Sequence, residues 1–101
     1  MISPAIAIPR VELEELCRRR HVRWLALFGS VLTDRFRADS DVDVLVEFEP
    51  GHTPGLEMVD IEDELSALFG DRRVDLVLKQ DLSRWIRGSI LANAEVLYGE
   101  Q

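Results

Sequence analysis

The octet Asp41–Phe48, DVDVLVEF, constrains the chain more than any other stretch. Val42, Val44, Val46 and Phe48 share one face of an extended segment, while Asp41, Asp43, Leu45 and Glu47 share the other. Four apolar residues at a period of two call for a strand with one face buried in a core. Aspartate is a poor strand former, so two of them at this spacing need a reason beyond secondary structure.

The segments around the octet place it in a layered domain. Leu13, Leu16 and Cys17 form a helical stripe, so a helix is expected over residues 10–21. RWLALF, Arg23 to Phe28, is short, apolar and bounded by Gly29, as befits a buried strand. Ser30 has the chemistry of an N-cap and is expected to start a helix of about two turns through Phe36. Glu49 to Gly55, EPGHTPG, is a loop by its Pro and Gly content.

Met58, Ile61, Leu65, Leu68 and Phe69 then repeat at helical spacing up to Gly70, giving a helix over 56–69. Arg73 to Leu78, RVDLVL, alternates as a strand with Asp75 and Val77 on one face. Leu82, Trp85, Ile86, Ser89 and Ile90 form a last amphipathic helix, started by Asp81 or Ser83. Ala94 to Tyr98 is a short strand or a packed tail. Helices alternating with strands make an α/β domain whose sheet is covered on at least one face.

At 101 residues the chain, 1–101, is expected to be a single domain with one core. No apolar run approaches the roughly 20 residues of a membrane helix. MISPAIAIPR lacks a basic region ahead of its apolar stretch, so it does not read as a signal peptide, and a cytoplasmic location is expected. One cysteine, Cys17, excludes an internal disulfide and a Cys-based zinc site; at its helical spacing it reads as a small buried hydrophobe. A net charge of −7 argues against a broad nucleic-acid surface. Arg18, Arg19 and Arg20 read as a solvated helix end that complements the helix dipole.

Three carboxylates stand out: Asp41 and Asp43 on one strand and Asp75 on another. If the two strands pair with these faces aligned, the three converge at one edge of the sheet. Close like charges raise one another's pKa, and a divalent cation relieves that cost. Oxygen ligands suit Mg²⁺, commonly held by one or two carboxylates together with substrate phosphates. Gly29 lets a phosphate approach the backbone, and Ser30 offers a hydroxyl and an amide where anions are favoured. A phosphate cradle beside a carboxylate metal site describes a nucleotidyl-transfer centre, in which two metals clamp the attacking and leaving oxygens.

Gly29-Ser30, ten residues, then Asp41-x-Asp43, with Asp75 on a later strand, resembles the signature of the polymerase-β-like nucleotidyltransferase superfamily. The resemblance runs from Trp24 to Tyr98. With no palm-and-fingers extension, the chain is similar to the minimal nucleotidyltransferase (MNT) antitoxins of HEPN/MNT toxin–antitoxin systems. That likeness implies a small mixed β-sheet flanked by helices. It also implies Mg²⁺ and ATP, and transfer of AMP to a tyrosine of a HEPN-domain RNase toxin.

By the same likeness, Asp41 and Asp43 bind the metals and triphosphate. Asp75 holds the catalytic metal and helps deprotonate the tyrosine, and Gly29 and Ser30 hold the outer phosphates. Relatives often carry an arginine where this chain has Thr33, which leaves Arg35 and Arg37 as the nearby cations for the nucleotide. A domain this small has little surface to grip base and acceptor together, which motivates a partner-completed site and an oligomer. The alternative reading is an antitoxin that neutralises by binding alone, with a vestigial site.

The remaining candidates have bland readings. His52 reads as a solvated loop residue and His21 as a helix-end cation. Trp24 and Trp85 read as core or interface aromatics, and Tyr98 as a packed residue. Glu57, Asp60, Glu62, Asp63 and Glu64 read as a solvated helix face.

Overall fold

The computed structural model describes residues 2–3 and 6–99; Met1, Pro4, Ala5, Glu100 and Gln101 lie outside it, and with them part of the N-terminal stretch read above. Among the described residues, three helices surround four strands: α1 (Arg10–Arg19), β1 (Val22–Phe28), β2 (Val42–Phe48), α2 (Glu57–Leu68), β3 (Val74–Leu78), α3 (Arg84–Asn93) and β4 (Glu95–Tyr98). Short 3₁₀ turns at Gly29–Leu32 and Lys79–Asp81 follow β1 and β3. No helix of the described residues is long and apolar enough to cross a membrane.

The sheet runs β3-β2-β1-β4. β1 is antiparallel to both β2 and β4, while β2 and β3 are parallel. The parallel pair is possible because α2 provides the crossover between its strands. Alternation along β2 sorts residues as its sequence requires. Val42, Val44 and Val46 are fully buried with Leu25, Leu27 and Leu76 beneath α1 and α2. On the opposite face Leu45 joins Trp24, Ala26 and Leu82 under α3. Both faces are therefore covered.

Local chemistry closes each element. α1 stops at Arg19, two residues before its expected end, because His21 takes a left-handed φ of 61°. α2 ends as its sequence requires, with Gly70 at φ 81° and the Asp71 amide donating to the Ser66 carbonyl at 2.8 Å. Ser83 caps α3 by accepting from the Trp85 amide at 3.3 Å, which settles the choice between Asp81 and Ser83. Ala94 ends that helix, and the tail beyond it is a strand.

Several sequence expectations are corrected by the structure. The two-turn helix after Ser30 is instead a single 3₁₀ turn whose N-cap is Phe28, so Ser30 lies inside the turn. Thr33 closes it: its amide and hydroxyl both donate to the Ser30 carbonyl, at 2.9 and 2.8 Å, and its own backbone is extended. Phe36 then anchors the following segment in the core, with the Arg72 guanidinium 4.5 Å above its ring.

Trp85 is 83% exposed, so it is not a core aromatic; the Arg84 guanidinium lies 5.0 Å from its ring centroid. The helix packs on the sheet through the partly buried Ile90 and Leu91 in its last turns, while Trp85 and Ile86 in its first turn are exposed.

Glu64 is not simply solvated. Burial pushes its carboxyl up, but hydrogen bonds and charge from Arg19 and Arg20 hold it below its ordinary value, clasping α1 to α2. Glu62 accepts from the Leu76 amide at 3.0 Å and so covers a donor of the edge strand β3. His52 lies 2.6 Å from Glu57 and stacks on His21 at 4.7 Å. Cys17 is buried as expected; burial first, then Glu14, pushes its thiol up to about 12.

Leu65 is fully buried where α2 meets the sheet. Leu65→Ala should lower unfolding free energy by about 2–5 kcal/mol, read from urea denaturation at constant slope.

Candidate active site

The parallel register of β2 and β3 sets Asp43 directly opposite Asp75, with Val42 opposite Val74 and Val44 opposite Leu76. On its other side Asp43 is paired with Phe28, the last residue of β1 before the Gly-Ser turn. Both aspartates lie on the α3 face of the sheet, at the end where β1 finishes and β2 and β3 begin. Three neighbouring strands thus deliver two acids and the Gly29-Ser30 turn to one place.

Gly29 is required there for two physical reasons. Its φ of 79° is left-handed, a conformation that costs an L side chain. In addition, a Cβ at this position would overlap the Asp43 Oδ2 and lie 3.3 Å from its Cγ. The Asp43 carboxylate therefore rests against bare backbone. It is half-buried, and burial first, then the charges of Asp75 and Asp41, raise its pKa above the ordinary 3.8.

Asp41 precedes β2 and is more exposed, with its Oδ1 4.0 Å from the Arg73 Nε. Full convergence of the three carboxylates does not occur. Asp43 and Asp75 share a register position, but among the described residues no three acidic, histidine or cysteine side chains are gathered closely enough to hold a metal ion. The donor set still suits a hard divalent cation: oxygen ligands only, with one carboxylate destabilised by its neighbours' negative charge.

Arg35 and Arg37 stand on the exposed segment between the Gly-Ser turn and β2. Their backbones are engaged: the Arg35 amide donates to the Thr33 hydroxyl, and the Arg37 carbonyl accepts from Arg72 at 2.9 Å. Neither guanidinium has an ion-pair partner among the described residues, so both charges are available. Thr33, where an arginine was looked for, acts as a turn closer.

A cleft of about 590 Å³ opens beside Gly29, between the 3₁₀ turn and α3. Phe28 and Leu32 line one wall, and Ser89, Ile90 and Asn93 line the other. Nothing in the sequence pattern marks Ser89 or Asn93 as site residues, because they join the turn only through the packing of α3.

The layout defines a nucleotidyl-transfer domain, and comparison with known proteins agrees. The polymerase beta nucleotidyltransferase family model matches residues 12–101. The chain belongs to this family. It is 42% identical over 86 residues to the protein adenylyltransferase MntA of Thermococcus cleftensis, covering 84% of this chain and 82% of that one.

The fold also superposes on a chain of a toxin–antitoxin crystal structure with AMP-PNP. There the TM-score is 0.73 at 21% identity, over 93% of this chain and 76% of that one. A complex of a tri-AMPylated Shewanella oneidensis HEPN toxin with an MNT antitoxin contains a chain of the same fold. It gives a TM-score of 0.61 at 21% identity, over 86% of this chain and 66% of that one.

Two tests follow from the geometry. Gly29→Ala should cost about 1–2 kcal/mol from the left-handed backbone alone, and displacement of Asp43 adds to it; urea unfolding measures the sum. The second concerns pH. Asp43 has a folded pKa above its unfolded one, so the folded state binds the extra proton, and stability falls as pH rises through that window. In chelator-treated protein, Asp43→Asn should therefore melt higher than wild type at neutral pH. That advantage should vanish below the ordinary carboxylate value.

Proposed function

We propose that the protein is an antitoxin that transfers AMP from ATP to a tyrosine of a cognate HEPN-type RNase toxin and so neutralises it. The observation that carries this reading is Asp43, in register with Asp75 on one side and set against the bare backbone of Gly29 on the other. The similarity to a protein adenylyltransferase over most of both chains supports the same chemistry. The HEPN toxin as partner is supported by the shared fold with toxin–antitoxin assemblies. An RNase toxin acts on cellular RNA, so the pair works in the cytoplasm.

In this reading Asp43 and Asp75 hold Mg²⁺, with Asp41 as the outer carboxylate. When bound, the cation neutralises the acids and the triphosphate. Gly29 admits the phosphates to the backbone, and the Ser30 hydroxyl adds a donor. Arg35 and Arg37, with free guanidinium groups, supply positive charge that Thr33 cannot. Asp75 lies at the edge strand of the sheet, on the side from which a macromolecular acceptor can approach. It draws the proton from the tyrosine hydroxyl, whose ordinary pKa of about 10 otherwise keeps it a weak nucleophile. The tyrosine oxygen bonds to the α-phosphorus, the bond to the bridging oxygen breaks, and pyrophosphate leaves.

The test is the intact mass of the HEPN toxin expressed with and without this protein. A gain of one or more AMP units is expected with the wild-type antitoxin. Asp43→Ala and Asp75→Ala should each slow the modification by at least about 100-fold. An unmodified toxin that is nonetheless silenced would replace this reading with neutralisation by binding alone.

A further inference from the structure

We infer that Arg72, in the turn between α2 and β3, is a positioning residue that presents Arg37 to the phosphates of the nucleotide. This rests on the proposed nucleotidyl-transfer reading and adds to it a residue that acts through another. The segment from Thr33 to Asp41 joins the Gly-Ser turn to β2 and contains no helix or strand. Its own hydrogen bonds shape it locally: the Arg35 amide donates to the Thr33 hydroxyl at 3.2 Å, and the Arg37 amide to the Ser40 hydroxyl at 2.9 Å. Such bonds fold a loop without fixing it to the body of the domain. An arginine that binds phosphate from an unanchored loop loses more freedom on binding, and binds more weakly for it.

Arg72 provides the anchor. Gly70 and Asp71 both take left-handed φ values, 81° and 61°, and turn the chain sharply after α2. The guanidinium that follows lies 4.5 Å from the Phe36 ring centroid. Its Nη1 donates to the Arg37 carbonyl at 2.9 Å and to the Ala38 carbonyl at 3.3 Å. One side chain thus grips three consecutive residues. The Arg37 carbonyl also accepts from the Ser40 amide at 3.1 Å, so both of its lone pairs are engaged. Arginine suits this role because a planar guanidinium can lie on a ring and donate in its own plane at once. A lysine ammonium is a point charge and cannot do both.

The other charged residues of the segment have anchors of their own. Arg35 is tied to the Gly-Ser turn through Thr33. Asp41 stands beside the start of β2, where the Val42 amide donates to the Arg73 carbonyl at 2.8 Å. Arg37 is the charged residue whose own backbone Arg72 holds, and its side chain is exposed. The influence of Arg72 on phosphate binding therefore passes through Arg37.

The experiment is calorimetric titration of ATP and of inorganic tripolyphosphate, each with Mg²⁺, into wild type, Arg37→Ala, Arg72→Lys and the double variant. Arg72→Lys keeps the charge and the aliphatic stem but not the planar fork, so it should stay folded with a melt lowered by roughly 5 °C. Arg37→Ala should weaken ATP and tripolyphosphate alike by about tenfold, the effect of one hydrogen bond to a charged group. Arg72→Lys should weaken both by about fivefold. In the double variant the loss should stay within about twofold of that in Arg37→Ala alone, because the two residues act on one contact. In AMP transfer to the toxin, Arg72→Lys should raise the KM for ATP and leave kcat within about threefold.

Losses that multiply in the double variant, to about fiftyfold, would overturn the positioning role, since independent sites add in free energy. Wild-type affinity in Arg72→Lys, or a fall in kcat with KM unchanged, would overturn it as well. So would ATP and tripolyphosphate affinities that ignore Arg37→Ala; AMP transfer still lost in Asp43→Ala would then leave the transfer site standing. Transfer that persists in Asp43→Ala would instead overturn the underlying reading. Should Arg72→Lys fail to fold, Arg72→Gln enters the same cycle with the same expected outcome.

Discussion

The parallel pairing of β2 with β3 is the contact on which the site depends. It sets Asp43 against Asp75 on the same side of the sheet, because the same pairing buries Val42, Val44 and Val46 with Leu76 under α1 and α2. A slip of one residue would turn the valines outward and the acids into the core. The hydrophobic face thus enforces the placement of the polar one. Repulsion between the two acids is held in place by apolar burial a residue away on either side.

That arrangement makes the two faces of the sheet unequal. The face under α1 and α2 is continuous apolar packing, secured further by Glu64 clasped between Arg19 and Arg20. The face under α3 is packed only over Trp24, Ala26, Leu45 and Leu82. Where β1 ends, α3 stands off, and the gap is the cleft beside Gly29. Stability is concentrated on one side of the sheet and chemistry on the other. The left-handed backbone at Gly29 carries no steric penalty because glycine has no Cβ.

Roles set by hydrophobic periodicity and by glycine stops were legible. Alternation at 41–48, helical spacing at 58–69, and the stops at Gly29 and Gly70 report local geometry, and each has the expected counterpart. Roles set by individual polar partners, near or far in the chain, or by exposure were misread. Glu62, Glu64 and Glu57 look like one solvated stripe, yet a strand amide, two arginines and a histidine claim them. Ser30 looks like a cap, but Thr33 closes the turn too soon for a helix to follow. Trp85 carries an apolar signal yet stays outside the core, with the Arg84 guanidinium over its ring, 5.0 Å from the centroid.

Sequence by itself determined the elements, the apolar face of the sheet and the identity of the acids and the Gly-Ser turn. These follow from periodicities of two and about 3.6 and from side-chain chemistry, both properties of adjacent residues. Only the tertiary structure decided that β2 and β3 pair in parallel and in register, that Gly29 presses on Asp43, and that α3 brings Ser89 and Asn93 to the turn. Each of these joins segments far apart in the chain. Burial of one common core settles such contacts, and no local pattern encodes them.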